Sequence, residues 1–360
     1  RPCRRAMILA TADVTILGAG VFGLSIAFCA AQRGARVRVI DPTGVAQGAS
    51  GGLVGALAPH TPDLWLPKKQ FQLESLLLAR EFWPEVERLS GLPTGYANHG
   101  RLQPINEERL IALALSRIAD AESNWGDAAV WEVISTSKVG PWAPPSATGQ
   151  LVRDTLSAHI HPRQATRALG QAVLELGGVI TAAGARQGAI VDARGWSGLV
   201  EMSQTLGKEI GNGVKGQAAL LDLARPGAAQ LFAEGLHVVP HLDGTVAIGS
   251  TSERYFKSVD QTDGQLDDLI AKAKRLFPEL RDATVIERWA GVRPRAFTRA
   301  PMLGRHPVHP DWFIANGGFK IGFGMAPKIA KVMTALILDG EDHIPEDFRA
   351  AASLRRKNDG

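Results

Sequence analysis

The chain has 360 residues, 45% of them hydrophobic, and a formal net charge of +4. This length and composition predict a globular protein with a large buried core and room for two domains. Lysines and arginines are scattered along the chain, so the sequence does not indicate a nucleic-acid partner. The two cysteines, Cys3 and Cys29, are too few for a disulfide framework or a cysteine zinc site, and we predict no metal site.

Residues 14–31, VTILGAGVFGLSIAFCAA, are apolar and uncharged, as a membrane anchor or signal segment would be. A spanning helix needs about 20 such residues. However, Gly18, Gly20 and Gly23 interrupt the run, and each weakens a helix by about 1 kcal/mol relative to alanine. We therefore predict that the run belongs to a soluble fold, with no spanning segment, no signal peptide and a cytoplasmic location.

The same run predicts a strand over residues 13–17, a glycine turn and a helix from 21 to about 33. A second strand over 36–40 then ends at Asp41. In such a unit the glycines permit a tight turn, close approach of a pyrophosphate and close packing of the helix on the strand. The acid at the end of the second strand is placed to bind a ribose hydroxyl. The unit predicts a dinucleotide site; the alternative is a chance glycine turn.

The rest of the chain predicts helices alternating with strands and then a mainly antiparallel region. The predicted helices cover residues 69–90, 107–122, 162–175, 263–277 and 326–338. The predicted strands cover residues 189–196, 215–223, 237–242, 245–251, 284–294 and 312–316. Two interleaved domains follow from this order. The dinucleotide-binding domain comprises residues 7–90, 146–212 and 300–345, and the substrate domain comprises residues 91–145 and 213–299.

The remaining segments are predicted to connect or flank these domains. The proline- and glycine-rich residues 140–149 are interpreted as a crossing between them. Residues 346–360 are interpreted as a tail, frayed from about 349, and the residues before about Met7 as lying upstream of the fold.

Two further motifs carry chemistry. Residues 317–327, GGFKIGFGMAP, repeat the order of strand, glycines and helix start, and a helix N-terminus favours negative charge such as that of a reduced flavin. The alternative is a plain helix start after a loop. In WAGVRPR, residues 289–295, Arg293 stands at a strand end, where its guanidinium could bind a carboxylate with two parallel hydrogen bonds. The alternative there is a solvated arginine.

Taken together, these motifs resemble the D-amino-acid oxidase (DAO) family of FAD-dependent oxidoreductases, most of all its glycine oxidase branch. The resemblance rests on GAGVFG with Asp41, QGASGGLVGALAP, VDARGW, KGQ, HVVPHLDGTVAIGST, WAGVRP, GRHP and GGFKIGFGMAP. It implies a two-domain α/β fold, in which a Rossmann-like FAD-binding domain is joined to a mainly antiparallel substrate domain.

The resemblance also implies a set of site residues. FAD would be noncovalent, since no cysteine lies near the C-terminal turn. The implied cofactor contacts are Gly18, Gly20, Val21, Phe22, Gly23, Asp41, Ala49, Ser50, Gly55, Ala56, Leu57, Gly195, Trp196, Arg293, Gly318, Phe319, Lys320, Ile321, Gly322, Phe323 and Gly324. Arg293 matches the carboxylate-binding arginine of the family.

Three positions depart from the glycine oxidase pattern. Lys320, His237 and Ser252 stand where glycine oxidase has an arginine, a tyrosine and a methionine, so they leave the substrate open. A partly exposed histidine at a strand start is the alternative for His237.

The implied activity is oxidation of the C–N bond of a small-molecule amino acid or amine, with oxygen or a quinone as acceptor. No catalytic acid or base is predicted, because a neutral substrate amine needs none. Two alternatives stay open. One is an enzyme like the flavin domain that oxidises the carboxymethylaminomethyl group of tRNA wobble uridine, whose Gly-x-Leu-Gln strand resembles GRLQ at residues 100–103. The other is an FAD-binding module without turnover. The oligomeric state, a homo-oligomer included, stays open too.

Overall fold

The computed structural model describes residues 11–355 of the chain. The helices are α1 (Val21–Gln32), α2 (Pro67–Ser90), α3 (Glu108–Trp125), α4 (Pro162–Glu175), α5 (Trp196–Leu206), α6 (Gly264–Leu276), α7 (Gly322–Asp339) and α8 (Ala350–Leu354). The strands are β1 (Val14–Leu17), β2 (Val37–Ile40), β3 (Ala56–Leu57), β4 (Arg101–Ile105), β5 (Trp131–Ser135), β6 (Gln150–Asp154), β7 (Ala158–His159), β8 (Val179–Thr181), β9 (Ala189–Asp192), β10 (Gly211–Asp222), β11 (Gln230–Ala233), β12 (Leu236–Pro240), β13 (Thr245–Gly249), β14 (Thr284–Ala296), β15 (Met302–Arg305) and β16 (Trp312–Asn316).

A six-stranded sheet has the order β15-β16-β9-β1-β2-β8. All its neighbours pair in parallel except β15 and β16, which are antiparallel. All four residues of β1 are buried, as expected for a parallel strand whose two faces are both covered. Helices α1, α2, α4 and α7 pack against one another, and their buried side chains join those of the sheet in one core. The N-terminal and C-terminal parts of the chain thus share this sheet.

An eight-stranded sheet has the order β14-β10-β13-β12-β11-β4-β6-β5. Its two longest strands, β10 and β14, pair antiparallel from Gly211 opposite Ala296 to Asp222 opposite Thr284, with a bulge at Leu220/Leu221. The sheet is antiparallel apart from the parallel pair of β11 and β4. Helix α6 contributes Leu266 and Ala273 to the second large core, which lies beneath this sheet. The mainly antiparallel region predicted from the sequence is confirmed.

Several predictions need correction. Residues 140–149 connect β5 to β6, which pair with each other, so they do not cross between domains. Strand β6 pairs with β4 and β5 of the larger sheet, whereas the predicted boundary at 146 put it in the dinucleotide-binding domain. We therefore propose that this boundary lies after Asp154. The run predicted as one strand over 189–196 ends at Asp192, and helix α5 follows it.

The C-terminal region also differs from the prediction. Helix α7 begins at Gly322, four residues before the predicted start. The prediction missed the first turn because two of its first three residues are glycines, which have a low helix propensity. Residues 346–355 are not a frayed tail: Phe348 is fully buried, with its ring 5.1 Å from that of Phe71. The predictions for residues before Met7 and for 356–360 lie outside the described residues. Within 11–355, no helix is long and apolar enough to cross a membrane.

Candidate active site

The first glycine turn connects β1 to α1 and is held in a form that side chains would block. Gly18 has a φ of +108°, and a Cβ there would lie 2.4 Å from the carbonyl oxygen of Ala193. A Cβ on Gly23 would lie 2.1 Å from the carbonyl oxygen of Gly18 and 3.1 Å from Cγ2 of Ile16. Gly18 therefore permits the turn, and Gly23 lets the helix approach the strand, as the sequence predicts.

The N-terminus of α1 receives its hydrogen-bond cap from another segment. Gly20 is the N-cap residue and has no side chain to offer, so the hydroxyl of Ser50 accepts from the backbone N–H of Val21 at 2.9 Å. The hydroxyl of Thr166 shares its proton between the carbonyls of Pro162, at 2.8 Å, and Ser50, at 3.1 Å. The first N–H groups of a helix have no partner within it. The remaining ones, with the proton of the Ser50 hydroxyl, are donors of the kind that bind phosphate at helix N-termini.

Asp41 lies at the carboxyl end of β2, against this turn. One of its carboxylate oxygens accepts from the backbone N–H of Ala19 at 2.8 Å, and the other accepts from the N–H and hydroxyl of Thr43 at 2.9 and 2.7 Å. Two carboxylate oxygens offer about four lone-pair positions. At least one position is therefore left for a ribose hydroxyl, and the structure brings Asp41 to the glycine turn as predicted.

Residues 49–57 link the N-terminus of α1 to the larger sheet. Ala49 and Ser50 lie in a short 3-10 helix, whereas the Leu53 carbonyl accepts from Nε2 of His241 at 2.7 Å, next to β12. The side chain of Val54 lies against Gly249, where a Cβ would come within 2.5 Å of it. The Gly55 carbonyl accepts from the N–H of Ile160 at 3.0 Å, and Ala56 and Leu57 form β3 beside β7. This loop therefore runs from the N-terminus of α1 to the end of β13.

The second glycine turn lies between the start of α1 and the end of β14. A Cβ on Gly318 would lie 2.9 Å from the ring of Phe22, and the N–H of Phe319 donates to the carbonyl of Pro294 at 2.9 Å. Ile321 is the N-cap of α7, and Gly322, Phe323 and Gly324 form its first turn. The ring of Phe323 packs against Trp83 in the core, at 6.3 Å between ring centroids, so this side chain points into the core.

Gly195 and Trp196, adjacent in the chain, contact different parts of the structure. The Gly195 carbonyl accepts from Nδ2 of Asn316 at 2.8 Å, beside the second glycine turn. The indole of Trp196 instead contacts Phe256, at 5.9 Å between ring centroids, and covers Gly213 of β10. The structure therefore places Gly195 near the other predicted cofactor residues but turns the Trp196 ring towards the larger sheet.

Arg293 lies on β14, opposite Val214 of β10, and its guanidinium covers Gly216. A Cβ on Gly216 would lie 2.1 Å from Nη1, so a side chain there would displace the guanidinium from this position. Nη2 donates to the hydroxyl of Ser250 at 2.6 Å and Nη1 to the carbonyl of Thr251 at 3.3 Å. Among the described residues, no carboxylate lies within ion-pair distance of Arg293. Arginine has five N–H donors, so three are left for a ligand.

Burial lowers the pKa of Arg293 to about 10, although the negative charge of Glu253 acts in the opposite direction. The guanidinium therefore stays charged at neutral pH. It combines a positive charge, partial burial and open donors, which is the requirement for binding a carboxylate.

His237 and Lys320 lie close enough to Arg293 for its positive charge to lower their pKa values. Burial, followed by the positive charges of Arg101, Lys320 and Arg293, lowers the pKa of His237 to about 4. Burial and then Arg293 also lower the pKa of Lys320. His237 is therefore neutral at pH 7, and its ring lies 4.6 Å from that of Phe232. Ser252, the third departure from the glycine oxidase pattern, is exposed.

Four polar residues near Arg293 were not predicted as site residues from the sequence. Ser250 and Thr251 contact the guanidinium directly, and the buried Gln217 and Glu253 contact Thr251. The motifs KGQ and GST contain three of them, but a motif does not show which side chain turns towards which. Within the described chain, no cluster of histidine, cysteine or acidic residues could hold a metal ion.

The fold and site define a class of protein in which a parallel sheet carries a glycine turn of the dinucleotide-binding type and an antiparallel sheet carries an arginine, Arg293, with open N–H donors. Residues 13–336 match the family model described as FAD dependent oxidoreductase (DAO), and the chain belongs to this family. FAD is the cofactor of the family, and the glycine turn, Ser50 and Asp41 fit its ADP half.

Comparison with individual proteins gives a consistent result. The chain is 28% identical over 354 residues to the bifunctional protein ThiO/ThiG of a Synechocystis species, covering 91% of this chain and 52% of that protein. It is 24% identical to the glycine oxidase of Bacillus licheniformis, covering 91% and 93%. The structure of the glycine oxidase from Bacillus cereus superposes with a TM-score of 0.80 at 20% identity, covering 92% and 96%. The chain spans about half the length of the bifunctional relatives.

Proposed function

We propose that the protein oxidises the C–N bond of an amino acid, or of a secondary amine, that carries a carboxylate. One observation carries this proposal: Arg293 presents a charged guanidinium with three open donors and, among residues 11–355, no acidic partner. The likeness of the chain to glycine oxidases supports the same substrate class.

The described residues suggest how FAD would be held. Ser50 and the first turn of α1 would bind the pyrophosphate, and Asp41 would bind the ribose. Residues 55–57 and the second glycine turn, at 318–324, would enclose the isoalloxazine. Bound there, FAD supplies the acceptor for the hydride that leaves the substrate α-carbon.

The chain itself would contribute binding and orientation. Two parallel hydrogen bonds from Arg293 would fix the carboxylate and so direct the Cα–H towards the flavin, and such proximity lowers a barrier by several kcal/mol. His237, neutral at pH 7, adds no positive charge that would repel the substrate amine. Loss of the hydride and one proton from the amine leaves a neutral imine. Water then hydrolyses the imine to an oxo product and ammonia or a smaller amine, while oxygen or a quinone takes the electrons.

The test uses the purified flavoprotein without oxygen. Glycine, sarcosine, D-alanine and iminodiacetate are each mixed with it, alongside methylamine, dimethylamine and ethylamine as counterparts without a carboxylate. We expect at least one carboxylated amine to bleach the flavin absorbance faster than its counterpart. Stoichiometric FAD that no amine bleaches would favour a module without turnover, and equal bleaching within each pair would contradict a role for Arg293. Mass analysis of the cofactor released on denaturation should show FAD.

A further inference from the structure

The segment after β13 continues the larger sheet in an irregular way. Lys215 and Glu253 exchange two backbone hydrogen bonds, of 2.9 and 2.8 Å, as an antiparallel pair does. At the next pair, formed by Gln217 and Thr251, the N–H of Thr251 donates to the carbonyl of Gln217 at 3.2 Å. In a regular ladder the N–H of Gln217 would return a bond to the carbonyl of Thr251. It donates instead to the hydroxyl of Thr251, at 2.8 Å.

This exchange frees a carbonyl oxygen. Because the hydroxyl of Thr251 satisfies the backbone N–H of Gln217, the carbonyl of Thr251 is available to accept from Nη1 of Arg293 at 3.3 Å. The proton of the same hydroxyl points to Glu253, which accepts it at 2.5 Å and also accepts from the Gln217 side chain at 2.9 Å. Gln217 and Glu253 are both buried. The orientation of the Thr251 hydroxyl is therefore fixed from two sides.

The residue before Thr251 holds the other end of the guanidinium. The hydroxyl of Ser250 accepts from Nη2 of Arg293 at 2.6 Å. Two adjacent residues thus bind the two terminal nitrogens, while Gly216 lies beneath the guanidinium. These contacts fix both the position and the plane of a side chain that otherwise has many rotamers.

We propose that Ser250 and Thr251 are positioning residues, which hold the guanidinium of Arg293 ready for the substrate carboxylate. The proposal rests on the proposed function, since it takes Arg293 as the carboxylate-binding group. Thr251 acts through its hydroxyl, which replaces its own carbonyl in the sheet, and Ser250 acts by direct contact.

The experiment compares Thr251→Val, which keeps the shape but removes the hydroxyl, with Thr251→Ser, which keeps the hydroxyl. The FAD-loaded enzyme is titrated with acetate, a carboxylate without an amine, and the flavin absorbance change gives the Kd. We expect Thr251→Val to weaken acetate binding about tenfold, as one weakened hydrogen bond to a charged group would. Thr251→Ser should stay within about twofold of the parent enzyme, as should the control Thr284→Val at the exposed start of β14.

Steady-state kinetics provide a second measurement, with the carboxylated amine that bleaches the flavin best. KM should rise about as much as the acetate Kd, whereas kcat at saturation should change less. The amine without a carboxylate should be unaffected. A general loss of stability would instead reduce the rates with both substrates, and thermal unfolding checks for it.

The outcomes separate this inference from the proposed function. If Arg293→Ala leaves acetate binding and KM unchanged, the proposed function fails, and this inference fails with it. If Arg293→Ala weakens both but Thr251→Val changes neither, or if the valine and serine variants lose equally, only this inference is refuted. If Thr251→Val does not fold, Ser250→Ala decides: we expect about a tenfold loss of acetate binding, and a loss below twofold overturns the proposal.

Discussion

Replacing Arg293 with alanine is the most direct test of the substrate class. In the structure two of its five N–H donors bind Ser250 and Thr251, so the other three are free for a carboxylate. Removing one partner of a shielded charge pair costs about 2–5 kcal/mol. Because Arg293 is partly exposed, we expect the lower part of that range. About 2–3 kcal/mol corresponds to a fall of about 30- to 150-fold in kcat/KM.

The assay compares a carboxylated amine with its counterpart lacking the carboxylate. The fall should appear for the carboxylated amine only, and the absorbance spectrum of the bound flavin should stay normal. Arg293→Lys should recover only part of the activity, since an ammonium group cannot make two parallel hydrogen bonds. An equal fall with both amines would show that Arg293 has a structural role, and the assignment of the substrate class would then lose its main support.

Three further predictions concern the cofactor site and stability. Asp41→Ala should weaken FAD binding by about 1.5–3 kcal/mol, through loss of a charged hydrogen bond; an unchanged Kd in an FAD titration would remove Asp41 from the site. Gly18→Ala should yield protein with little bound FAD, because its Cβ would lie 2.4 Å from the Ala193 carbonyl oxygen; a full FAD content would contradict this. His159 is fully buried, and burial lowers its pKa to about 3. Because the unfolded chain takes up that proton near pH 6.5, the free energy of unfolding should fall between pH 6.5 and 5, by up to about 2 kcal/mol from this residue. Urea unfolding at the two pH values should show a smaller fall in the free energy of unfolding for His159→Leu than for the parent protein. Equal falls would refute the lowered pKa of His159 as a cause of this pH dependence.

The sequence predicted the parts of the site that local patterns control. The first glycine turn and Asp41 belong to one strand–helix–strand unit, so spacing alone brings them together. Ser50 was assigned by resemblance, to the isoalloxazine, whereas its hydroxyl lies at the N-terminus of α1. The antiparallel region was predictable for a similar reason, because β10, β12, β13 and β14 are apolar runs bounded by turns.

Features that depend on distant contacts could not be predicted in this way. Strand β6 joins the larger sheet through pairing with β4 and β5, and its own five residues do not specify that partner. Phe348 is buried by contact with α2, far away in the sequence, so the last residues looked like a tail. The hydroxyl exchange at Thr251 depends on the register between two segments 34 positions apart. Trp196 was assigned to the cofactor by resemblance, yet its ring turns to β10.

The strand order of the smaller sheet, taken with the proposed FAD site, predicts when the cofactor binds during synthesis. The chain leaves the ribosome N-terminus first. The glycine turn after β1 is therefore made early, but β9 and β16 complete the sheet beside it, and Gly318 must reach Phe22 before the second glycine turn is in place. If residues 318–324 enclose the flavin as we propose, a nascent chain that ends before α7 has the first glycine turn but lacks this enclosure. We therefore expect chains truncated before α7 to bind FAD much more weakly than the full chain, which an FAD titration of such truncated chains would check.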